Sequence, residues 1–109
     1  MVELVIANND EMALGAVAAL AEAGYNKSGG RVIPVFGVDA TEAAIAKIKD
    51  GFMSGTVKQD GEGMAEAIVK VVGNYLGGMD ATAGISLDML EEKWRINIPY
   101  SLYTGEDKK

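Results

Sequence analysis

Three short apolar runs, each followed by a segment of helical periodicity, constrain this chain more than any other feature. A crossover helix returns the chain to the same end of a sheet, so successive strands lie parallel. The first run is Val2–Ala7, followed by polar Asn8-Asn9-Asp10, which offers a helix cap and an acid at a helix start. Met12, Ala13, Ala16, Val17 and Leu20 then fall on one helical face that ends at Gly24, and the Gly-, Ser- and Lys-rich stretch Asn26–Arg31 reads as a loop. Val32–Val38 is the second run, nearly continuous in apolar residues, as expected where both sheet faces are covered. Pro34 lies near its start, where a missing donor is tolerated. A helix with Ala44, Ile45 and Ile48 inward leads to Asp50-Gly51. The third run is Gly55–Val57, and after Lys58-Gln59-Asp60 comes the clearest helix, with Met64, Ile68, Val71, Val72 and Tyr75 in one stripe closed by Gly77-Gly78.

Beyond that point the pattern changes. Met79–Glu92 reads as a loop with a turn of helix near Leu87–Glu92, and Arg95–Tyr103 as a half-buried strand interrupted by Pro99. Gly105–Lys109 is a charged tail. Met1 runs straight into strand-like sequence, which suggests a piece of a longer protein. No basic-then-apolar leader opens the chain, and no apolar stretch approaches the ~20 residues that span a bilayer.

Composition narrows the chemistry. The chain has no Cys and no His, which removes disulfides, thiolate sites and His-based triads. Its net charge of -6 opposes a phosphate backbone, so nucleic acid is a poor partner. Gly61-Glu62-Gly63 resembles the opening of a dinucleotide fingerprint, but Glu66 stands where the third glycine belongs, so these read as helix-start glycines. Asn26-Lys27-Ser28 fits a glycosylation triplet and carries no weight alone. Glu91, Glu92 and Asp107 read as solvated carboxylates, and the methionines as filler.

The polar residues that remain collect at strand ends. In open α/β sheets, ligands sit beyond the C-terminal ends of the strands. Asn9, Asp39 and Gln59 each follow a strand there. Any one of them reads as a cap or turn former. Three in register suit a neutral polyhydroxyl ligand, because amides both donate and accept while a carboxylate accepts.

The segment Val5-Ile6-Ala7-Asn8-Asn9-Asp10-Glu11-Met12-Ala13-Leu14-Gly15-Ala16 resembles the strand-to-helix passage of type I periplasmic binding proteins. Ile33–Ala40 is similar to the matching passage of their galactose/glucose-binding branch, and Gly55–Asp60 and Ile98-Pro99-Tyr100 follow in the family's order. The resemblance covers nearly the whole chain and is to the C-terminal part of a family member. It implies an incomplete, Rossmann-like α/β lobe with a parallel sheet. Residues 1–60 would belong to the C-terminal sugar-binding lobe and 61–78 to a helix of the N-terminal lobe. Residues 79–109 would form a connecting loop, a hinge-crossing strand and the tail.

The resemblance also implies a sugar-binding module rather than an enzyme. It would serve an ABC transporter permease or a chemoreceptor from the periplasm, or as an extracellular lipoprotein. Asn9, Asp39 and Gln59 fall on sugar-contacting positions, with Gln59 nearer the ribose-binding pattern than the Asn common in the galactose branch. Glu3 falls on a calcium-ligating glutamate whose companion ligands lie outside this chain; no other cofactor is implied. Half a pocket predicts no useful sugar affinity, and a stripe without its sheet predicts a homo-oligomer. Two alternatives are the effector-binding domain of a lactose-repressor-type regulator, which shares the fold, and a small α/β enzyme, which lacks an acid–base pair here.

Overall fold

Val5–Ile6 (β1), Val35–Val38 (β2) and Gly55–Lys58 (β3) form a parallel sheet in that order, and Ser101–Tyr103 (β6) adds an antiparallel edge beside β3. This is a computed structural model, and it describes residues 1–86, 89–92 and 95–106. The chain divides into two compact units. One is Met1–Gln59 with the chain from Ser101 onward; the other is Asp60–Tyr100.

In the first unit, Asp10–Glu22 (α1) and Glu42–Lys49 (α2) are the helices that the periodicity predicts. Asn9 caps α1 by accepting from the Met12 amide, and Thr41 caps α2 by accepting from the Ala44 amide. Side chains alternate across a strand, so Val35 and Gly37 face one side while Phe36 and Val38 face the other. On the first side the helices close a core of Ala13, Val17, Val35, Ala44, Ile48 and Met53. On the opposite side Phe36, Val38 and Val57 are half-buried. Ile6 is paired with Phe36, and Leu102 with Val57; these two neighbours of the sheet's other face are 75% and 67% exposed. The continuous apolar run of β2 predicts two covered faces, and the helices of this unit cover one.

The loop before β2 is fastened from inside. Asn26, 7% exposed and with a positive φ of 52°, donates from Nδ2 to the carbonyls of Ile33 and Phe52. Its Oδ1 accepts from the Ile33 amide. With both amide hydrogens and the oxygen engaged, Asn26 is a structural clamp, and no room is left for a glycan.

The second unit holds Gly61–Leu76 (α3) and a two-stranded hairpin of Leu90–Glu91 (β4) with Arg95–Ile96 (β5). Asp60 caps α3 by accepting from the Gly63 amide at 2.9 Å. A Cβ on Gly63 would lie 2.5 Å from the Asp60 carboxylate, so that glycine serves the cap and not a phosphate. Asn74, buried in α3, donates to the carbonyls of Ala81 and Ala83 and holds the following turns. The apolar stripe is in water: Ile68 is 63% and Tyr75 78% exposed.

Two expectations change in this region. Met89 ends a helical turn, its amide donating to the Ser86 carbonyl at 3.1 Å, and Leu90–Glu91 is a strand where the sequence suggests that the turn runs on to Glu92; Leu87 and Asp88 lie outside the described residues, as does Asp107. The alternation over Arg95–Tyr103 divides into β5 and β6, with no strand at 97–100, where Pro99 has no N–H to give a ladder.

One close approach on the helix-covered face of the first unit is testable. A Cβ on Gly37 would collide with Asp10 Oδ1 and come within 2.9 Å of Met53 Cε and 3.1 Å of Ala13 Cβ. Gly37→Ala is therefore expected to destabilise the chain by about 1–3 kcal/mol in urea denaturation. Gly15→Ala, at an α1 position with nothing within 4 Å, should leave stability unchanged or raise it. An unshifted midpoint for Gly37→Ala would contradict this packing.

Candidate functional site

All three parallel strands of the first unit deliver their C-terminal ends to the same edge of the sheet. Asn9 follows β1, Asp39 follows β2 and Gln59 follows β3. Their order along the rim is the strand order, and strands pair about 4.8 Å apart, so the three positions are neighbours in sequence of strands.

Asp39 and Gln59 are joined directly. Gln59 Nε2 donates to Asp39 Oδ1 at 3.1 Å, with both side chains exposed. A hydrogen bond in water has little net worth, and its partners can exchange readily for other donors and acceptors. Asn9 is half-buried; its Oδ1 accepts from the Met12 amide at 2.9 Å. That orientation leaves its amide N–H groups as donors. The rim thus offers a carboxylate acceptor, an amide donor and a Gln with both functions, which is the mixture a sugar hydroxyl pattern requires.

The backbone beneath Asp39 is unusual. Asp39 has φ 116° and Ala40 φ 54°, two consecutive non-glycine residues at positive φ. Left-handed backbone costs an L-residue roughly 1–2 kcal/mol, and such residues persist only where the surroundings hold them. The holding contacts are successive. The Asp39 amide donates to the Val57 carbonyl at 2.8 Å, the Ala40 amide to Thr56 Oγ1 at 3.2 Å, and the Thr41 amide to Asp10 Oδ2 at 2.7 Å. Thr56 Oγ1 in turn donates to Asp10 Oδ1 at 2.6 Å.

Asp10 has 0% exposure, and both of its oxygens accept. An acid in the first helical turn ordinarily faces water and the helix dipole. Here it turns inward, into the hollow that Gly37 leaves open. Sequence reasoning sees Asp10 only as a helix-start acid. The one available signal is a residue without a side chain in the middle of the neighbouring strand.

Glu3 lies exposed ahead of β1, and among the described residues no three carboxylates gather into a metal-holding group. In the second unit, Met64, Ala67, Ile68, Val71, Val72, Ile96 and Ile98 line an open groove of about 310 Å³. That lining has no side-chain hydrogen-bonding group, so it is the wrong chemistry for a polyhydroxyl ligand.

The family model for the periplasmic binding protein domain matches residues 2–80. The chain belongs to that family. It is 36% identical over 107 residues to the D-galactose/methyl-galactoside binding periplasmic protein MglB of Haemophilus influenzae, covering 98% of this chain and 29% of that protein. It is also 36% identical over 85 residues to the ribose import binding protein RbsB of Bacillus subtilis, covering 78% of this chain and 26% of that protein. A solved ABC transporter solute-binding protein from Burkholderia multivorans superposes with a TM-score of 0.64 at 24% identity. It covers 94% of this chain and 31% of that one, and supports the shared fold.

The chain thus spans less than a third of the length of these curated relatives. Those relatives are named as periplasmic and import binding proteins. They give no support to the transcription-regulator alternative.

Proposed function

We propose that this chain supplies one wall of a monosaccharide site, with Asn9, Asp39 and Gln59 as the hydrogen-bonding groups. The observation that carries the reading is the exposed Asp39–Gln59 pair at the rim of the parallel sheet, next to the end of β1. The sugar class is a hexose of the galactose or glucose kind, in line with the MglB relative, while Gln59 and the RbsB relative leave a pentose as the competing choice. Within a longer protein the site would close against a second lobe and pass its sugar to a membrane permease of an ABC transporter, or report it to a chemoreceptor. Its place is the periplasm, or the outer face of the membrane as a lipoprotein. Glu3 would join a calcium site only with ligands from outside this chain.

The wall alone is too little. Three side chains give hydrogen bonds worth about 0.5–3 kcal/mol each, against an association cost of about 4–15 kcal/mol. The isolated chain is expected to show no useful affinity. Grafting it in place of the corresponding stretch of the H. influenzae galactose-binding relative restores the missing wall. Calorimetry on that chimera should report monosaccharide binding, which Asp39→Ala weakens by about ten- to a hundredfold. A folded chimera that binds none of galactose, glucose or ribose would contradict the reading, as would micromolar binding by the isolated chain.

The exposed apolar side chains, those of the α3 stripe and Ile6 and Leu102 on the sheet, have a second consequence. Each large side chain left in water forgoes about 1.5–3 kcal/mol of burial. A helix stripe and a sheet face are the two surfaces that α/β layers bring together, so a second copy of the chain is the partner for both. Light scattering at micromolar concentration should find dimers or larger assemblies. Ile68→Lys with Val72→Glu should shift them towards monomer. A stable wild-type monomer would remove the self-association.

A further inference from the structure

We infer that Asp10 is a positioning residue of the rim: its buried carboxylate holds the Asp39–Ala40 turn in its positive-φ conformation and so sets where the Asp39 carboxylate points. For the ligand involved, this rests on the monosaccharide reading above. The backbone effect does not.

Three consecutive amides leave β2, and each has one anchor. The first, on Asp39, is tied to the backbone of β3. The second, on Ala40, is tied to the Thr56 hydroxyl, and the third, on Thr41, to Asp10 Oδ2. Thr56 spends its single hydroxyl hydrogen on Asp10 Oδ1, which leaves its oxygen lone pairs turned to the Ala40 amide. Asp10 therefore acts twice, on Thr41 directly and on Ala40 through Thr56. The carboxylate has no alternative seat. It is sealed from water, and the hollow at Gly37 has no room for even a methyl group besides it. The same residue begins α1, immediately after Asn9. One side chain thus joins the start of α1 after Asn9, the turn after Asp39, and Thr56 within β3, the strand that leads to Gln59.

The role separates from bulk stability by where its loss is felt. Asparagine at position 10 keeps the shape but cannot accept on both sides. In Asp10→Asn, multidimensional NMR of the 109-residue chain should show the Asp39 and Ala40 Cα shifts and HN–Hα couplings leaving their positive-φ values. The Val5 and Ala7 amides, which bond across the β1–β2 ladder, should keep their shifts. Because Asp10→Asn can lose the fold outright, Thr56→Val and Thr56→Ser form the second test. Thr56→Ser keeps the hydroxyl and should retain the native couplings at Ala40, whereas Thr56→Val should lose them. Native couplings at 39 and 40 in both Asp10→Asn and Thr56→Val would overturn the inference. So would shift changes spread evenly through the sheet, or loss of the turn in Thr56→Ser to the same extent as in Thr56→Val. The readout is backbone conformation and not sugar, so a failed monosaccharide reading shows in the chimera, and a failed positioning role shows here.

Discussion

A carboxylate sealed from water is expensive unless its oxygens are satisfied, and the site end of this fold is organised around satisfying one. Asp10 receives the Thr56 hydroxyl from β3 and the Thr41 amide from the segment that follows β2, while itself standing at the start of α1. The start of α1, the turn after β2 and Thr56 of β3 are thereby held to one point. The sheet supplies the order of the rim residues; the carboxylate supplies their constancy. Gly37 belongs to the same arrangement, because its missing side chain is the space that the carboxylate occupies.

Above this buried layer the chemistry is loose by comparison. The bond between Gln59 and Asp39 is exposed, and the Asn9 oxygen is committed to its own helix while its amide hydrogens are not. Backbone held from below and exchangeable hydrogen bonds above would suit the proposed sugar-binding role, since ordering costs would be met before a ligand arrived. Elsewhere the chain lacks what such a layered fold normally has. Ile6 and Leu102 on one side of the sheet and the stripe of α3 are apolar and exposed. A chain spanning 29% of the length of its galactose-binding relative is therefore organised at its rim while large apolar side chains elsewhere stay exposed.

Much of this was legible in the residues. The alternation of short apolar runs with helical spacing locates β1, β2, β3 and all three helices, and the rule that ligands gather past strand ends singles out Asn9, Asp39 and Gln59. β1 begins at Val5 and β2 at Val35, later than the runs that start at Val2 and Val32, because ladder pairing and not side-chain character sets the limits. Interior polar roles were hidden. Asp10, Asn26 and Asn74 look like cap, loop and helix-surface residues, and only the surrounding packing turns them into clamps. The positive φ of Asp39 and Ala40 has no local signal, since neither is glycine. Alternation continues on both sides of Pro99, so the sequence alone suggests one interrupted strand over Arg95–Tyr103 and not two with different partners. Pairing partners, unlike periodicity, are not written in a single strand, so the separate hairpin of β4 and β5 could not be seen.

The most direct measurement is hydrogen exchange of the unmodified chain, comparing the amides of Asp39, Ala40 and Thr41 with those of the β1–β2 ladder. If one buried carboxylate holds the rim, these three turn amides exchange as slowly as the ladder amides of Val5 and Ala7. Exchange at the rate of open-loop amides such as Lys27 and Ser28 would mean that the strand ends move independently and that Asp10 organises nothing.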